Sequence, residues 1–378
     1  MKIALVHDYL KEYGGAERVV EALHEIFPEA PIYTAYLNLS GLGAHADRIK
    51  TWDVRTSWFQ NFPFASKLVS PFRIFAPLMF ESFDLKEFDV VISSSAIYFA
   101  KAVITKPESL HIGYIHTPPR YLYGYTTSFN YKKNPITRIF GEIANHFLRI
   151  YDFETSQRPD ILVANSKNVQ ARIKKFYRRD SVVIYPPVEV VSRQSSVVRH
   201  SESRKLKADS YFLSVGRLVR GKGIDIIVEA CSKLGLSLKV AGAGPEFQSS
   251  KFKVQSAKSK NIEFLGQVKD EDLPELYAGA IATIVASEDE DFGIVPVESM
   301  AAGTPVIAVK AGGFLETVIP GKTGEFFNDA AAVSLMKALE SFDFKKYKPE
   351  DCIKQAEKFS KERFKKEILE LINKNIKV

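Results

Sequence analysis

The sequence predicts an α/β protein built from two separate doubly wound parallel sheets. Three observations carry that expectation. Apolar runs of four to six residues recur along the chain, separated by helix-length amphipathic stretches. That is the rhythm of buried parallel strands joined by crossover helices. The runs fall into two series, divided by a polar stretch between Pro187 and Ala208. Finally, 378 residues are too many for one ordinary core and suit two domains.

In the first series the expected strands are Ile3–Val6, Val90–Ser93, Ile112–Ile115, Ile161–Ala164 and Val182–Tyr185. Tyr185-Pro186-Pro187 stops the last of them, and Ser192 to Lys207 has little apolar periodicity, as an exposed linker would. The second series is Tyr211–Val215, Leu238–Ala241, Ile262–Leu265, Ala282–Val285 and Val306–Val309. The expected partition is a first domain over 1–190, a linker over 191–208, a second domain over 209–355 and a closing helix within 356–378. In that helix Phe364, Ile368, Leu371 and Ile372 share a face, and Ser360 is a suitable N-cap.

Two regions depart from the rhythm. Trp58 to Phe83 is rich in aromatics and proline, and Tyr121 to Tyr151 is aromatic and basic, with Lys132, Lys133, Arg138 and Arg149. Neither reads as a plain strand–helix unit, so both are expected to be insertions that shape the first domain's face of a cleft. Their aromatics are either buried or serve a large acceptor or a membrane interface.

Composition narrows the function classes. The chain is 46% hydrophobic and 26% charged, as soluble globular proteins are. Its formal charge of +7 points to an anionic partner: a nucleic acid, an acidic membrane surface or a phosphorylated substrate. No segment interleaves Arg and aromatics as RNA-binding modules do, so no nucleic acid is expected. Cys231 and Cys352 lie far apart and form no CxxC pair, which fits a reducing compartment. The N-terminal apolar run is short, and no stretch approaches 18 apolar residues. The expectation is a cytoplasmic protein without a transmembrane anchor.

The chemistry-bearing segments follow strands. After Val215 comes a glycine-containing loop with Arg217 and Lys222. Two cations at the carboxyl end of a parallel strand suit a diphosphate, although a solvated basic loop has the same composition. Gly242-Ala243-Gly244-Pro245 reads as a tight turn or as a close backbone approach to a nucleotide. After Val285 the chain runs through Ser287-Glu288-Asp289-Glu290-Asp291 to Phe292-Gly293-Ile294-Val295-Pro296-Val297-Glu298, and then to Gly303-Thr304-Pro305. Pro296 suits the first position of a helix and Gly303 its end. The amides of Gly293, Ile294 and Val295 then sit at a helix N-terminus, a phosphate cradle. Glu290 lies in the loop before it and Glu298 in the first turn. Carboxylates repel phosphate, so hydroxyls are their expected targets, although the helix dipole alone would account for Glu298.

In the first domain, Gly14-Gly15 opens a helix after the first strand, as a turn or a phosphate approach. His116 ends a strand before Pro118-Pro119, either as a satisfied structural histidine or as a site residue. Asp289-Glu290-Asp291 has the spacing of a metal-binding D-x-D.

From Glu290 to Ile307 the chain resembles the family-4 retaining glycosyltransferases, whose motif reads E-x-F-G-x-x-x-x-E-(A/S)-M-A-x-G-x-P-V-I. Gly312-Gly313-Phe314-Leu315-Glu316 is similar to the family's G-G-x-x-E, Gly216-Arg217 with Lys222-Gly223 to its G-R-x(4)-K-G, and His116-Thr117-Pro118 to its H-x-P. The resemblance implies two Rossmann-like domains facing a cleft (the GT-B fold), with the last helix packing back on the first domain. It implies Arg217 and Lys222 on the diphosphate, Glu298 on the ribose, and Glu290 with the amides of Phe292, Gly293 and Ile294 on the transferred sugar. Gly14 and Gly15 would lie beside the diphosphate, and His116 at the reaction centre. Asp291 stands where the family often has Gly, which stiffens the loop and bears on donor preference.

The cations are expected to replace a metal, so neither metal nor cofactor is expected. His116-Thr117-Pro118-Pro119-Arg120-Tyr121, Ala164-Asn165-Ser166 and Ile184-Tyr185-Pro186-Pro187-Val188 are similar to a mannosyltransferase-like branch of surface-polysaccharide biosynthesis. That branch implies GDP-mannose and a glycan or polyprenyl-linked acceptor, with peripheral association at an anionic membrane. A UDP-sugar donor, a sugar-nucleotide 2-epimerase and an inactive nucleotide-sugar binder are the alternatives.

Overall fold

The computed structural model describes residues 1–125, 135–190, 210–244 and 260–376. The expected linker 191–208, together with Lys132, Lys133 and Pro245, lies outside the described residues. The chain divides into two compact units. One comprises 1–125, 130–187 and 362–378, and the other 126–129 and 188–361.

The first unit holds seven strands: β1 (Ile3–His7), β2 (Ile32–Thr34), β3 (Val54–Thr56), β4 (Val90–Ser95), β5 (Leu110–Ile115), β6 (Ile161–Ala164) and β7 (Val182–Val183). They form one parallel sheet in the order β3-β2-β1-β4-β5-β6-β7. The central strands β4 and β5 are buried along their whole length, which is why they read as continuous apolar runs. The short β2 and β3 gave no such run; three residues ending in threonine carry too little periodicity.

The second unit holds β8 (Tyr211–Val215), β9 (Leu238–Ala241), β10 (Ile262–Gly266), β11 (Ala280–Val285), β12 (Val306–Val309) and β13 (Gly324–Phe327). Its order is β10-β9-β8-β11-β12-β13, again parallel. In each sheet the strand order reverses once, between β1 and β4 and between β8 and β11. Ligands of open α/β sheets bind outside the carboxyl ends of the strands at such a reversal.

The unit division passes between Pro187 and Val188 and between Lys361 and Glu362. The helix Pro349–Ala356 therefore stays with the second unit. Of the helix Lys361–Asn375, the residues from Glu362 onward belong to the first unit. Phe364, Ile368 and Ile372 are buried there with Leu5, Val19, Ile92 and Tyr114. The apolar stripe inserted in that core decides where the helix belongs.

The two aromatic regions need correction. Residues 135–155 form an uninterrupted 21-residue helix between β5 and β6, an ordinary crossover. Its periodicity was hidden because two faces are apolar. Leu148 lies in the core, while Ile139, Ile143 and Phe147 are exposed. The stretch from Trp58 to Phe83 is a series of short helical turns that splits in the same way. Phe59, Met79 and Phe80 are buried, whereas Phe64 is 75% exposed.

Candidate active site

In the second unit the site is built at the reversal between β8 and β11. The loop after β8 carries Arg217, which is exposed, and Lys222, which is half-buried, before the helix Ile224–Lys233. The loop after β11 carries Glu290. Lys222 Nζ donates to Glu290 Oε2 at 2.7 Å, with both side chains partly exposed. The cation assigned to phosphate and the carboxylate assigned to sugar are therefore neighbours, and in the absence of a ligand each neutralises the other. Gly313 N donates to Glu290 O at 2.9 Å. A Cβ on Gly312, whose φ is +54°, would lie 2.4 Å from the same carbonyl. The glycine pair thus lets the loop after β12 seat beneath Glu290 and hold its backbone.

The helix after the acidic loop spans Ile294–Ala301, with Gly293 as N-cap. This corrects two placements. Pro296 is the third helical residue rather than the first, and Glu298 is the fifth, beyond the first turn. Pro is tolerated at the third position because that N–H also lacks an intrahelical partner. The close at Gly303 is as expected: Gly303 N reaches Met300 O at 2.9 Å and Thr304 N reaches Ser299 O at 3.0 Å, the paired bonds of a glycine-terminated helix. Phe292, Gly293 and Ile294 form the approach to this helix. The Phe292 ring is buried edge-on against Phe359.

Glu298 has a partner that the sequence reading missed. Tyr277 OH donates to Glu298 Oε2 at 2.8 Å. Thr304 Oγ1 in turn donates to Tyr277 O at 2.7 Å, and Ser299 Oγ reaches Thr283 Oγ1 at 2.8 Å. This buried polar chain ties the helix to β11 and fixes the direction from which Glu298 acts. Tyr277 sits in a short helix far along the chain, so local pattern gave no signal.

At the Gly-x-Gly turn the backbone passes close to the loop after β8. A Cβ on Gly242 would stand 1.8 Å from Gly216 O. That glycine makes room for the loop bearing Arg217.

In the first unit the reversal lies between β1 and β4. Gly14 is the N-cap of the helix Gly15–Ile26, but its amide already donates to Glu17 Oε2 at 2.9 Å. Asp8, at the end of β1, is structural: its carboxylate accepts from the amides of Ala96, Ile97, Tyr98 and Ala100 and so holds the loop after β4. His116 follows β5 and is buried, with Nε2 2.8 Å from Ser94 Oγ. Burial, and then the charge of His7, push its pKa down to about 3, so its imidazole is neutral.

Two reversal-point sites on two doubly wound sheets define the GT-B class, and the solved structures agree on the fold. The chain aligns over 99% of its length with 99% of Anabaena HepE in complex with UDP and glucose, at 19% identity and a TM-score of 0.70. Sucrose-phosphate synthase from Thermosynechococcus elongatus aligns over 99% of both chains at 17% identity and a TM-score of 0.72. Residues 199–359, which lie within the second unit, match the family model of the glycosyl transferases group 1.

Among curated relatives, the human alpha-1,3/1,6-mannosyltransferase ALG2 is 28% identical over 212 residues, 50% of this chain and 51% of that protein. The mannosylfructose-phosphate synthase of Agrobacterium fabrum is 33% identical over 128 residues, 30% of this chain and 28% of that protein. The chain spans about half or less of the length of the curated relatives it matches.

Proposed function

We propose that the chain is a retaining glycosyltransferase. It moves a hexose from a nucleotide-diphosphate sugar to a hydroxyl of a glycan or polyprenyl-linked acceptor. The observation that carries this reading is the meeting of Lys222 and Glu290 at the β8/β11 reversal, within the span that matches the group 1 family model. A diphosphate entering there draws Lys222 and Arg217 onto its oxygens and frees the Glu290 carboxylate for sugar hydroxyls. Glu298, steadied by Tyr277, accepts from the ribose hydroxyls.

In this reading the bond between the anomeric carbon and the phosphate oxygen breaks as the acceptor oxygen attacks from the same face. The acceptor proton passes to the departing phosphate oxygen, and the cations offset its charge. His116, being neutral and hard to protonate, acts as a hydrogen-bonding group and not as the base. Arg217 and Lys222 make a divalent metal unnecessary.

Mannose and GDP are the preferred sugar and base. The string from His116 to Tyr121 and the mannose-handling names of ALG2 and the mannosylfructose-phosphate synthase support them. A UDP-sugar is the second reading, since HepE was solved with UDP-glucose.

The acceptor side is proposed to be a membrane surface on the cytoplasmic side. The helix Pro135–Thr155 turns Ile139, Phe140, Ile143, Phe147 and Ile150 outward, and apolar patches of this kind mark contact sites. No described helix is long and apolar enough to cross a membrane, so the proposed association is peripheral.

The test is a thermal-shift screen of GDP-mannose against UDP-hexoses, followed by transfer to a lipid-linked acceptor with EDTA present. GDP-mannose should stabilise most, and transfer should survive EDTA with the anomeric configuration kept. Release of a free altered sugar without acceptor would indicate an epimerase instead.

A further inference from the structure

His116 stands at one end of a continuous chain of polar contacts inside the first unit. Its Nε2 is 2.8 Å from Ser94 Oγ. Ser94 Oγ is 3.1 Å from His7 Nδ1, and that nitrogen is also 3.2 Å from Ser94 O. His7 Nε2 is 3.4 Å from Glu17 Oε1, and Glu17 Oε2 accepts from Gly14 N at 2.9 Å. His7, Glu17, Ser94 and His116 are all buried.

The chemistry of these groups sets the direction of the protons from His7 to His116. A backbone carbonyl only accepts, so His7 Nδ1 carries a hydrogen. The Glu17 carboxylate faces the ring's other nitrogen and holds the ring in this orientation. The His7 Nδ1–H also points its donor at Ser94 Oγ, whose single hydroxyl proton is left for His116. His116 Nε2 accepts that proton, which puts the one proton of its neutral ring on Nδ1.

We propose that His7, Ser94 and Glu17 form a positioning relay that holds His116 as the neutral Nδ1–H tautomer, so that Nδ1 presents a hydrogen-bond donor to the sugar nucleotide. This rests on the reading above in which His116 meets the transferred sugar. The tautomer that a histidine adopts is set by the bond its other nitrogen makes. A donor at Nδ1 suits a hydroxyl oxygen of the sugar, which can accept it, or the departing oxygen, which gains negative charge as the bond breaks.

The experiment is long-range proton–nitrogen correlation NMR on the full chain labelled with 15N-histidine, at pH 7.5. Resonances are assigned from His7→Gln and His116→Gln. The expected spectrum shows a proton on His7 Nδ1 and His116 protonated on Nδ1 alone. Ser94→Ala should convert His116 largely to the Nε2–H form. It should also lower kcat about tenfold or more with KM for the sugar nucleotide within about twofold.

A wild-type spectrum with His116 protonated on Nε2 overturns the relay, as does a Ser94→Ala spectrum with an unchanged His116. If the protein transfers no sugar from any nucleotide, the transferase reading fails, while the wild-type spectrum still decides the relay.

Discussion

Glu290 and Glu298 belong to the same motif, yet each has a different neighbour. Glu290 faces Lys222 and Glu298 faces Tyr277. Removing Glu290 releases the cation it neutralises, whereas under the proposed function removing Glu298 takes away a ribose acceptor. Glu290→Ala should therefore leave nucleoside-diphosphate affinity unchanged or improved, and Glu298→Ala should weaken it by about 1–3 kcal/mol. Equal losses by calorimetric titration would contradict the assignment.

Two buried histidines make a second case at this scale. His111 Nδ1 has no partner among the described residues, and burial pushes its pKa down to about 3, as it does for His116. Unfolded, each titrates near 6.5, so between about 6.5 and 3 the unfolded chain binds more protons. The stability contribution is complete above about 6.5 and falls as pH drops, by up to about 1.4 kcal/mol per pH unit for each histidine. Urea midpoints from pH 7 to 4.5 should show the slope, and His111→Gln should remove about half of this contribution to it.

At the level of elements, the helix Pro135–Thr155 is fastened from inside. Asp152 accepts from Lys101, from Tyr123 OH at 2.7 Å and from Tyr177 OH at 3.2 Å, and Lys101 and Asp152 are fully buried. Taking either charge away leaves the other without compensation in a low-dielectric site. Lys101→Met should cost about 3–5 kcal/mol by denaturant unfolding. Adding Asp152→Leu should recover part of that loss, and a double variant worse than the single would show that the pair is not acting as a unit. This helix also shows why its region was misread. One face is apolar because it enters the core, and another although it faces solvent. A sequence window sums both and loses the 3.6-residue period. By contrast, the strands β4, β5, β8 and β12 were legible because both their faces are buried.

Across the whole molecule, charge divides with the fold. Residues 1–187 and 362–378 carry 28 Lys and Arg against 21 Asp and Glu, while 188–361 carry 24 of each. The entire excess of +7 therefore belongs to the unit that exposes the apolar helix face. Within it, 101–187 alone hold 14 basic against 6 acidic residues. Apolar and cationic surface on one unit is the combination that binds anionic lipid. The full chain should sediment with anionic liposomes in low salt, less so in 0.5 M salt (about a 4 Å screening length), and hardly with neutral ones. Ile143→Glu with Phe147→Glu should weaken binding more than about tenfold, because each buried apolar side chain contributes about 1.5–3 kcal/mol. Protein that stays in the supernatant in low salt would remove the membrane from the proposal.

The sequence by itself determined the class of fold and the residues from Glu290 to Glu298. Both depend on local order: apolar runs, glycine and proline at turns, and carboxylates at a set spacing. Tertiary structure alone decided the partners. The residue pairs Lys222 with Glu290, Tyr277 with Glu298, and His7 with Ser94 and His116 lie between 21 and 87 positions apart. Tyr277 and Glu298 meet where two helices pack, and the other pairs meet because parallel strands bring their carboxyl ends to one edge of a sheet; neither kind of contact leaves a periodic trace in either segment.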